Sequence, residues 1–499
     1  MQNKSDLNQV YTCGSLIGFI LENGMKLNPG MQGASKLIPK AFIVIWLLLS
    51  QQGFAQISKL NPDQELAHSI FKELIEINTT HSIGDCTPAA QAMAKRLKDG
   101  GYDEKDIVII GPFARNQNMI ARLHGSGKQP PILFLAHLDV VEAKPEDWSY
   151  NPFILTETSG YFYGRGTLDV KSGAAILVTN FIRLKKEGFI PDRDLILALT
   201  AGEESADDYD GVEWLVHKQR PLIDASFCVN MDAGEPQRKG GKRILRPVQV
   251  SEKGNFYLTL EVKNPGGHSS QPTRNNAIYR LADGLVRMQG FDFPVQFSDV
   301  TKSYFATMSS LETGQLETDM KAVAQNNPDT SVINRLATFP YYNALMRSTC
   351  ITTVVDAGNS VNALPQSAKA TVNCRLLPGV TQEEAEKTVV RVLNDTGIHV
   401  SVRMELKSGP ASPVSQEIIS KVEMVTNKLW PGIPVLPVMG VGASDGKYLR
   451  AAGMPTYGIS GVFLDVDDFR MHARDERIRV DDFYGGLEYN FELIKTFSK

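Results

Sequence analysis

The sequence predicts an α/β protein with a second, smaller α+β domain inserted into it, and three observations predict that arrangement. Apolar runs suited to strands buried on both faces recur at residues 133–138, 195–200 and 227–231, and segments of helical periodicity separate them. Each run breaks at its far end into histidine or acidic residues. From about Val250 the pattern changes to half-buried alternation, and it returns to α/β near residue 409.

Taken in order, Asn61-Pro62-Asp63 starts a helix through Ala67, Ile70, Phe71 and Leu74-Ile75, and residues 89–97 form a second that ends near Gly100-Gly101. Strands are expected at 107–110 and 119–123. The run Leu133-Phe134-Leu135-Ala136-His137-Leu138-Asp139 is the central strand, and ligands in open α/β sheets sit at the carboxyl ends of such strands. Gly164-Arg165-Gly166-Thr167-Leu168-Asp169-Val170-Lys171-Ser172 follows. A phosphate-binding loop is excluded there, because the glycine required before the lysine is Val170. Residues 171–186 have helical periodicity, so Asp169 enters a helix. The strand at 195–200 runs into Glu203-Glu204, residues 212–217 begin a helix, and the strand at 227–231 runs into Asp232. Three strands thus deliver His/Asp, Glu/Glu and Asp to one sheet edge.

In the second region residues 256–262 alternate as a strand, Gly266-Gly267-His268-Ser269-Ser270 is a tight turn, and 277–288 is an amphipathic helix. Residues 290–345 read as polar and irregular with a few helical turns. Strands at 349–355 and 368–376, a helix at 382–393 and a strand at 400–406 complete the order strand–helix–strand–strand–helix–strand, a ferredoxin-like sandwich. A helix at 416–429, the loop Gly440-Val441-Gly442-Ala443-Ser444-Asp445, a helix at 447–452, a strand at 456–459, a loop with His472 and a helix at 483–495 then close the first domain.

The chain has 499 residues, 42% hydrophobic and 22% charged, with a net charge of −4. Nothing in that balance calls for nucleic acid or an anionic membrane as partner. Residues 1–55 differ from the rest. Lys36 and Lys40 precede the apolar run from Ala41 to Leu49, and Gly53-Phe54-Ala55 offers a small-residue exit, the order of a secretory signal peptide too short to span a bilayer. Initiation at Met25 or Met31 would give such a leader ordinary length. Its removal takes away four lysines and two acidic residues, leaving −6 and a periplasmic or secreted protein with no membrane segment. Cys86, Cys228, Cys350 and Cys374 remain, and Cys350 and Cys374 lie on strands that can be neighbours.

Histidine and carboxylate donors of this kind suit Zn²⁺. Four carboxylates and two histidines exceed one tetrahedral ion, and they suit two metals about 3.5–4 Å apart with a bridging carboxylate.

His137-Leu138-Asp139, Gly164-Arg165-Gly166-x-x-Asp169-x-Lys171, Glu203-Glu204, Asp232, Gly266-Gly267-His268-Ser269 and His472, in this order, closely resemble the co-catalytic zinc peptidase family of glutamate carboxypeptidases, aminoacylases, acetylornithine deacetylase, succinyl-diaminopimelate desuccinylase and carnosine-type dipeptidases. The resemblance implies a zinc-exopeptidase-like mixed sheet flanked by helices, with an inserted ferredoxin-like lid or dimerisation domain. Its parts are a leader at 1–55, a catalytic domain at 56–248 and 409–499, and the lid at 249–408. It implies two Zn²⁺ per chain, with Asp169 bridging, His137 and Asp232 completing one site and Glu204 and His472 the other. Asp139 would orient His137.

In the chemistry this implies, a metal-bridging hydroxide attacks an amide carbonyl, Glu203 passes its proton to the departing amine, and His268 helps to meet the oxyanion. In some relatives that histidine comes from the partner subunit of a dimer. Arg375 resembles the family arginine that holds the substrate carboxylate, and Asn362 falls at a substrate-side position. The expected activity is that of a secreted carboxypeptidase or dipeptidase on short peptides, and the shorter Asp232, where many acyl-amino-acid relatives carry glutamate, favours peptides. The alternative is an aminoacylase-type hydrolase of N-acyl amino acids. A metal-free binding protein would have lost a ligand or the base, yet all five ligand positions and Glu203 are present.

Overall fold

A computed structural model describes residues 59–205 and 209–499. The chain divides into Met1–Leu60 and Asn61–Lys499, and the architecture below is that of the second unit. The leader expected at 1–55 lies outside the described residues.

The main sheet has ten strands among the described residues. Its central four, Leu195–Thr200, Ile132–His137, Phe227–Asn230 and Thr456–Gly458, are parallel. Strands Asn118–Leu123 and Ile107–Ile110 extend one side antiparallel, and Lys242–Glu252, Gln237–Lys239 and Leu464–Asp465 extend the other, with Val435–Gly440 parallel to Lys242–Glu252. The sheet is therefore mixed, with helices packed against it.

Apolar runs made these strands because both faces are covered. All six residues of Ile132–His137 and of Leu195–Thr200 are buried. Helix Lys171–Lys186 buries all but three of its residues, and packs against Pro62–Glu76 and the last helix, Val480–Phe497. Pro62–Glu76 starts where the sequence signals it, because Asn61 accepts from the Gln64 N–H (2.9 Å) and Gln64 returns the bond in a capping box.

The second sheet is antiparallel, in the order Thr349–Ala357, Ser367–Leu376, Gly254–Lys263, His399–Lys407. With helices Ala277–Gln289 and Gln382–Leu393 on one face, this is the ferredoxin-like order. Alternation explains its two faces: Phe256, Leu258, Leu260 and Val262 pack with Ala368, Ala370, Val372 and Leu376 against the helices, while Asn255, Tyr257, Asn373 and Arg375 point the other way. Cys350 and Cys374 are register partners, and a disulfide joins them with Cα atoms 4.1 Å apart.

Residues 290–345 differ from the irregular segment expected. They form helices Asp299–Ser309, Gly314–Ala324, Thr330–Ala337 and Pro340–Met346. Ser298 and Asp329 cap the first and third by accepting from Thr301 N–H (3.1 Å) and Val332 N–H (2.8 Å). Each helix is short and buries only one stripe, so its composition reads as polar. Tyr304, Phe305, Met308, Met320, Leu336 and Met346 share one core with Leu436, Val438 and Met439 of the main sheet. Strand Lys242–Glu252 was also unread, its Lys242, Arg243, Arg246 and Gln249 masking the apolar positions.

Candidate metal centre

Parallel strands end together, so their carboxyl ends bring sequence-distant groups to one edge. His137 closes its strand beside Thr200 in register, and Leu135 pairs with Asn230. The turns after Thr200 and Asn230 then present Glu203, Glu204 and Asp232 beside His137. Asp169 arrives from the turn before helix Lys171–Lys186, through a cis Asp169–Val170 peptide, and His472 from the loop after Thr456–Gly458. His472 adopts a left-handed backbone conformation, φ 60°. Non-glycine residues seldom do so unless their surroundings hold them there.

The Asp169 carboxylate lies between two imidazoles. Its Oδ1 is 3.0 Å from His137 Nε2, and its Oδ2 is 2.9 Å from His472 Nε2. His472 Nε2 also lies 3.0 Å from Glu204 Oε1, and His137 Nε2 lies 3.6 Å from Asp232 Oδ1. Two triads have ligand atoms within 4.8 Å of one another: His137, Asp169 and Glu204, and His137, Glu203 and Asp232. Neutral imidazole nitrogens and carboxylate oxygens converging from five backbone segments are the donor set of a transition-metal site, and a carboxylate with an oxygen toward each histidine suits a bridging position. The residues present fit a metal pair.

Electrostatics agree with that fit. Burial pushes the His137 pKa down, but Asp232 and Asp169 outweigh it and hold the imidazole well above its ordinary value. His472 is raised to about 10 by its hydrogen bonds to Asp169 and Glu204. Burial pushes Asp232 up to about 8 against the pull of His137, and raises Glu203 well above the usual carboxylate range, helped by Asp232. Burial also raises Glu204, against its hydrogen bond to His472. Asp169 goes down, because the bonds from both histidines outweigh burial. So much negative charge at one sheet edge holds protons where cations would otherwise sit.

Surrounding groups fix the donors. His137 Nδ1 donates to the backbone carbonyl of Asp139 (2.9 Å), which leaves Nε2 facing the centre. The Asp139 carboxylate accepts the N–H groups of Glu203 (3.3 Å) and Glu204 (2.8 Å), while its Oδ1 stays 3.7 Å from His137 Nδ1. Asp139 thus aims the paired glutamates as well as the histidine. Sequence reading assigned no part to Glu476, which is fully buried. Its carboxylate accepts from Arg165 Nη1 (2.6 Å) and from the N–H groups of Gly166 (3.2 Å), Leu168 (2.7 Å) and Asp169 (3.2 Å). Only its place four residues after His472 hinted at this.

The remaining candidates lie on the second lobe. His268 is exposed on the two-stranded antiparallel sheet of Gly267–His268 and Ala363–Leu364, its Nδ1 accepting from Ser270 Oγ (2.7 Å). Asn362 precedes the second of those strands, its carbonyl accepting from Ser269 N–H (3.1 Å). Arg375 stands near the end of its strand, on the face away from the lobe's helices. None of the three touches the centre in this arrangement. Ser444 and Asp445 are buried behind the centre, with Thr200 Oγ1 donating to Asp445 Oδ2 (3.1 Å) and Ser444 Oγ to Glu252 (2.8 Å).

A model of the peptidase family M20/M25/M40 matches residues 133–496. The N-fatty-acyl-amino acid synthase/hydrolase PM20D1 of Xenopus tropicalis is 31% identical over 374 residues, 73% of this chain and 72% of that protein. Among solved structures, the M20 family metallo-carboxypeptidase Sso-CP2 of Sulfolobus solfataricus aligns with a TM-score of 0.66 at 15% identity, over 88% of this chain and 100% of that one. The di-peptidase Dug1p of Saccharomyces cerevisiae aligns with 0.65 at 15% identity, over 87% and 96%. Those two likenesses concern the fold. The family match runs from the His137 strand into the last helix and takes in every candidate ligand, and on that ground this chain belongs to the peptidase family M20/M25/M40, as a metallopeptidase or amidohydrolase.

Proposed function

We propose that the chain hydrolyses the amide bond of a small substrate whose amine half carries a free carboxylate, and that it does so with two Zn²⁺ held by His137, Asp169, Glu204, Asp232 and His472. The observation that carries this is Asp169 between His137 and His472 with Glu204 and Asp232 alongside. The substrate favoured is an N-acyl amino acid, because a relative at 31% identity is named for that substrate class. A second reading, carboxypeptidase or dipeptidase action on short peptides, is favoured by Asp232 in place of the longer glutamate.

Bound metal supplies Lewis acidity and brings the pKa of water from 15.7 to roughly 7. Glu203 takes the proton of the attacking water and delivers it to the departing amine. Its burial favours the protonated state, which suits a group that must hold a proton between those steps. Asp139 holds the Glu203 N–H so that this carboxylate does not wander. Arg375 grips the substrate carboxylate, Asn362 lies beside it, and His268 donates to the oxyanion once residues 249–408 close over the domain formed by 56–248 and 409–499.

Export of the chain to a periplasmic or extracellular space agrees with the leader pattern at 1–55 and with the Cys350–Cys374 disulfide. No described helix is long and apolar enough to cross a membrane. Dimerisation through the second lobe is supported by its edge strand Thr349–Ala357, which exposes Ile351, Val354 and Val355.

The test is metal content by mass spectrometry, with hydrolysis of a panel of N-acyl amino acids and dipeptides before and after chelation and zinc return. Two zinc ions per chain with chelator-sensitive turnover is the expected result. A chain that binds no metal and gains no turnover on zinc return is not this enzyme.

A further inference from the structure

Two cationic side chains, Lys253 and Arg375, lie near one another at one corner of the second sheet, with no acid paired to either among the described residues. Lys253 is the single residue between strand Lys242–Glu252 of the main sheet and strand Gly254–Lys263 of the second. Its side chain is 1% exposed, and its Nζ donates to the backbone carbonyl of Arg347 at 2.6 Å. The Arg347 guanidinium, also buried, pairs with Asp292 at 2.9 Å. Arg375 faces Asn255 on one neighbouring strand and Thr349 on the other. Among the described residues, neither Lys253 nor Arg375 forms an ion pair.

A buried ammonium whose acceptor is a neutral carbonyl is unfavourable for stability alone, and an apolar residue of the same shape would serve the fold better. Burial and the nearby Arg375 charge push the Lys253 pKa down to about 7. Asn255 Oδ1, beside Arg375, is buried with no donor. The corner is also tied to the lobe that carries the candidate ligands. Lys407, the other register partner of Asn255, reaches Glu213 at 2.5 Å, in the helix Gly211–Lys218 that follows the Glu203-Glu204 turn. The cross-strand row Lys407, Asn255, Arg375, Thr349 is thereby pinned to the lobe that holds the ligands.

We propose that Lys253 and Arg375 form a two-cation anchor for the free carboxylate on the amine half of the substrate, Arg375 gripping it and Lys253 acting as the positioning residue behind it. This deepens the reading of the chain as an amide hydrolase and rests on it. Lys253 lends its charge from a fixed place, held by the Arg347 carbonyl at the junction of the two sheets, so the anchor stays in register with the main lobe. It makes the site selective for a carboxylate over the isosteric neutral amide.

The test uses the full chain as metal-loaded protein in the Glu203→Gln background, in which turnover is slowed so that binding can be read. Calorimetric titration compares an N-acyl amino acid with the same compound carrying a primary amide in place of the carboxylate. Lys253→Met is expected to weaken the carboxylate ligand about tenfold, the order of a charge-assisted contact, and to leave the amide ligand unchanged. Lys253→Arg should bind the carboxylate within about threefold of the parent. Asn255→Asp, which sets a fixed carboxylate beside Arg375, should weaken the carboxylate ligand alone, and it decides the matter if Lys253→Met does not fold. Equal weakening of both ligands, no weakening of either, or a parent that binds neither overturns the anchor. Failure of the wild-type chain to hydrolyse any panel member overturns the amide-hydrolase reading instead, and the calorimetric contrast still decides the anchor.

Discussion

Glu476 accepts the backbone N–H of Asp169 at 3.2 Å, so the loop that carries one candidate ligand, His472, grips the turn that carries another. The two residues are 307 positions apart in the chain. With Arg165 and the N–H groups of Gly166 and Leu168 on the same carboxylate, one buried side chain joins the segments that carry two candidate ligands.

Glu476→Gln should therefore weaken both fold and metal binding. It leaves Arg165 buried without its counter-charge, and breaking a buried pair in this way costs about 3–5 kcal/mol. Loss of a group that orients a ligand typically lowers metal affinity about 10–100-fold. Denaturant unfolding of the metal-free protein and a competitive zinc titration measure the two effects, and a variant matching wild type in both would show that the clamp is idle.

Glu203→Gln should lower kcat by about 10²–10⁴, the usual contribution of a positioned acid or base, with two metals still bound. The carboxylate also belongs to a possible ligand triad with His137 and Asp232. Mass spectrometry of the purified variant separates the roles, because loss of one metal would make Glu203 a ligand and not the proton carrier.

The metal-free protein should lose stability as pH rises. Asp232 has a pKa of about 8 in the fold against an ordinary 3.8, and His472 about 10 against 6.5. Each group holds a proton in the fold that the unfolded chain has released, so its contribution is present at low pH and lost as pH rises through the folded value. Both act between pH 6.5 and 8. Tm of the metal-free protein should fall across that window, zinc affinity should rise, and zinc uptake should release protons. Calorimetry in buffers of different ionisation enthalpy counts those protons, and none released would refute the account.

His268→Ala should lower kcat/KM by about 10²–10³, the loss of one oxyanion donor. The side chain is exposed and packs on no core, so Tm and metal content should not change. Full activity in the variant would remove His268 from the mechanism.

What the sequence made legible were features written in local pattern. Helices Lys171–Lys186, Gln382–Leu393 and Gln416–Leu429 lie where periodicity placed them, because their apolar stripes coincide with clear starts and stops. The strands that bear His137, Glu203-Glu204 and Asp232 declared themselves as apolar runs, since both faces are covered. Strand Lys242–Glu252 did not, because its buried Arg246 bonds to groups outside its own strand, the Gly234 carbonyl (2.6 Å) and Tyr489 Oη (3.0 Å). The four helices of 290–345 were hidden by their shortness, and Glu476 because nothing local distinguishes a buried clamp from a surface acid.

Those four helices also alter the mechanics of the molecule. By chain order they belong to the second lobe, yet Tyr304, Phe305, Met308 and Met320 are sealed against Leu436, Val438 and Met439 of the first. Two covalent crossings alone would leave the lobe free to swing about the line that joins them. The packed helices add a third attachment. Any closing stroke must carry the helices along with the main sheet or slide them across Leu436, Val438 and Met439.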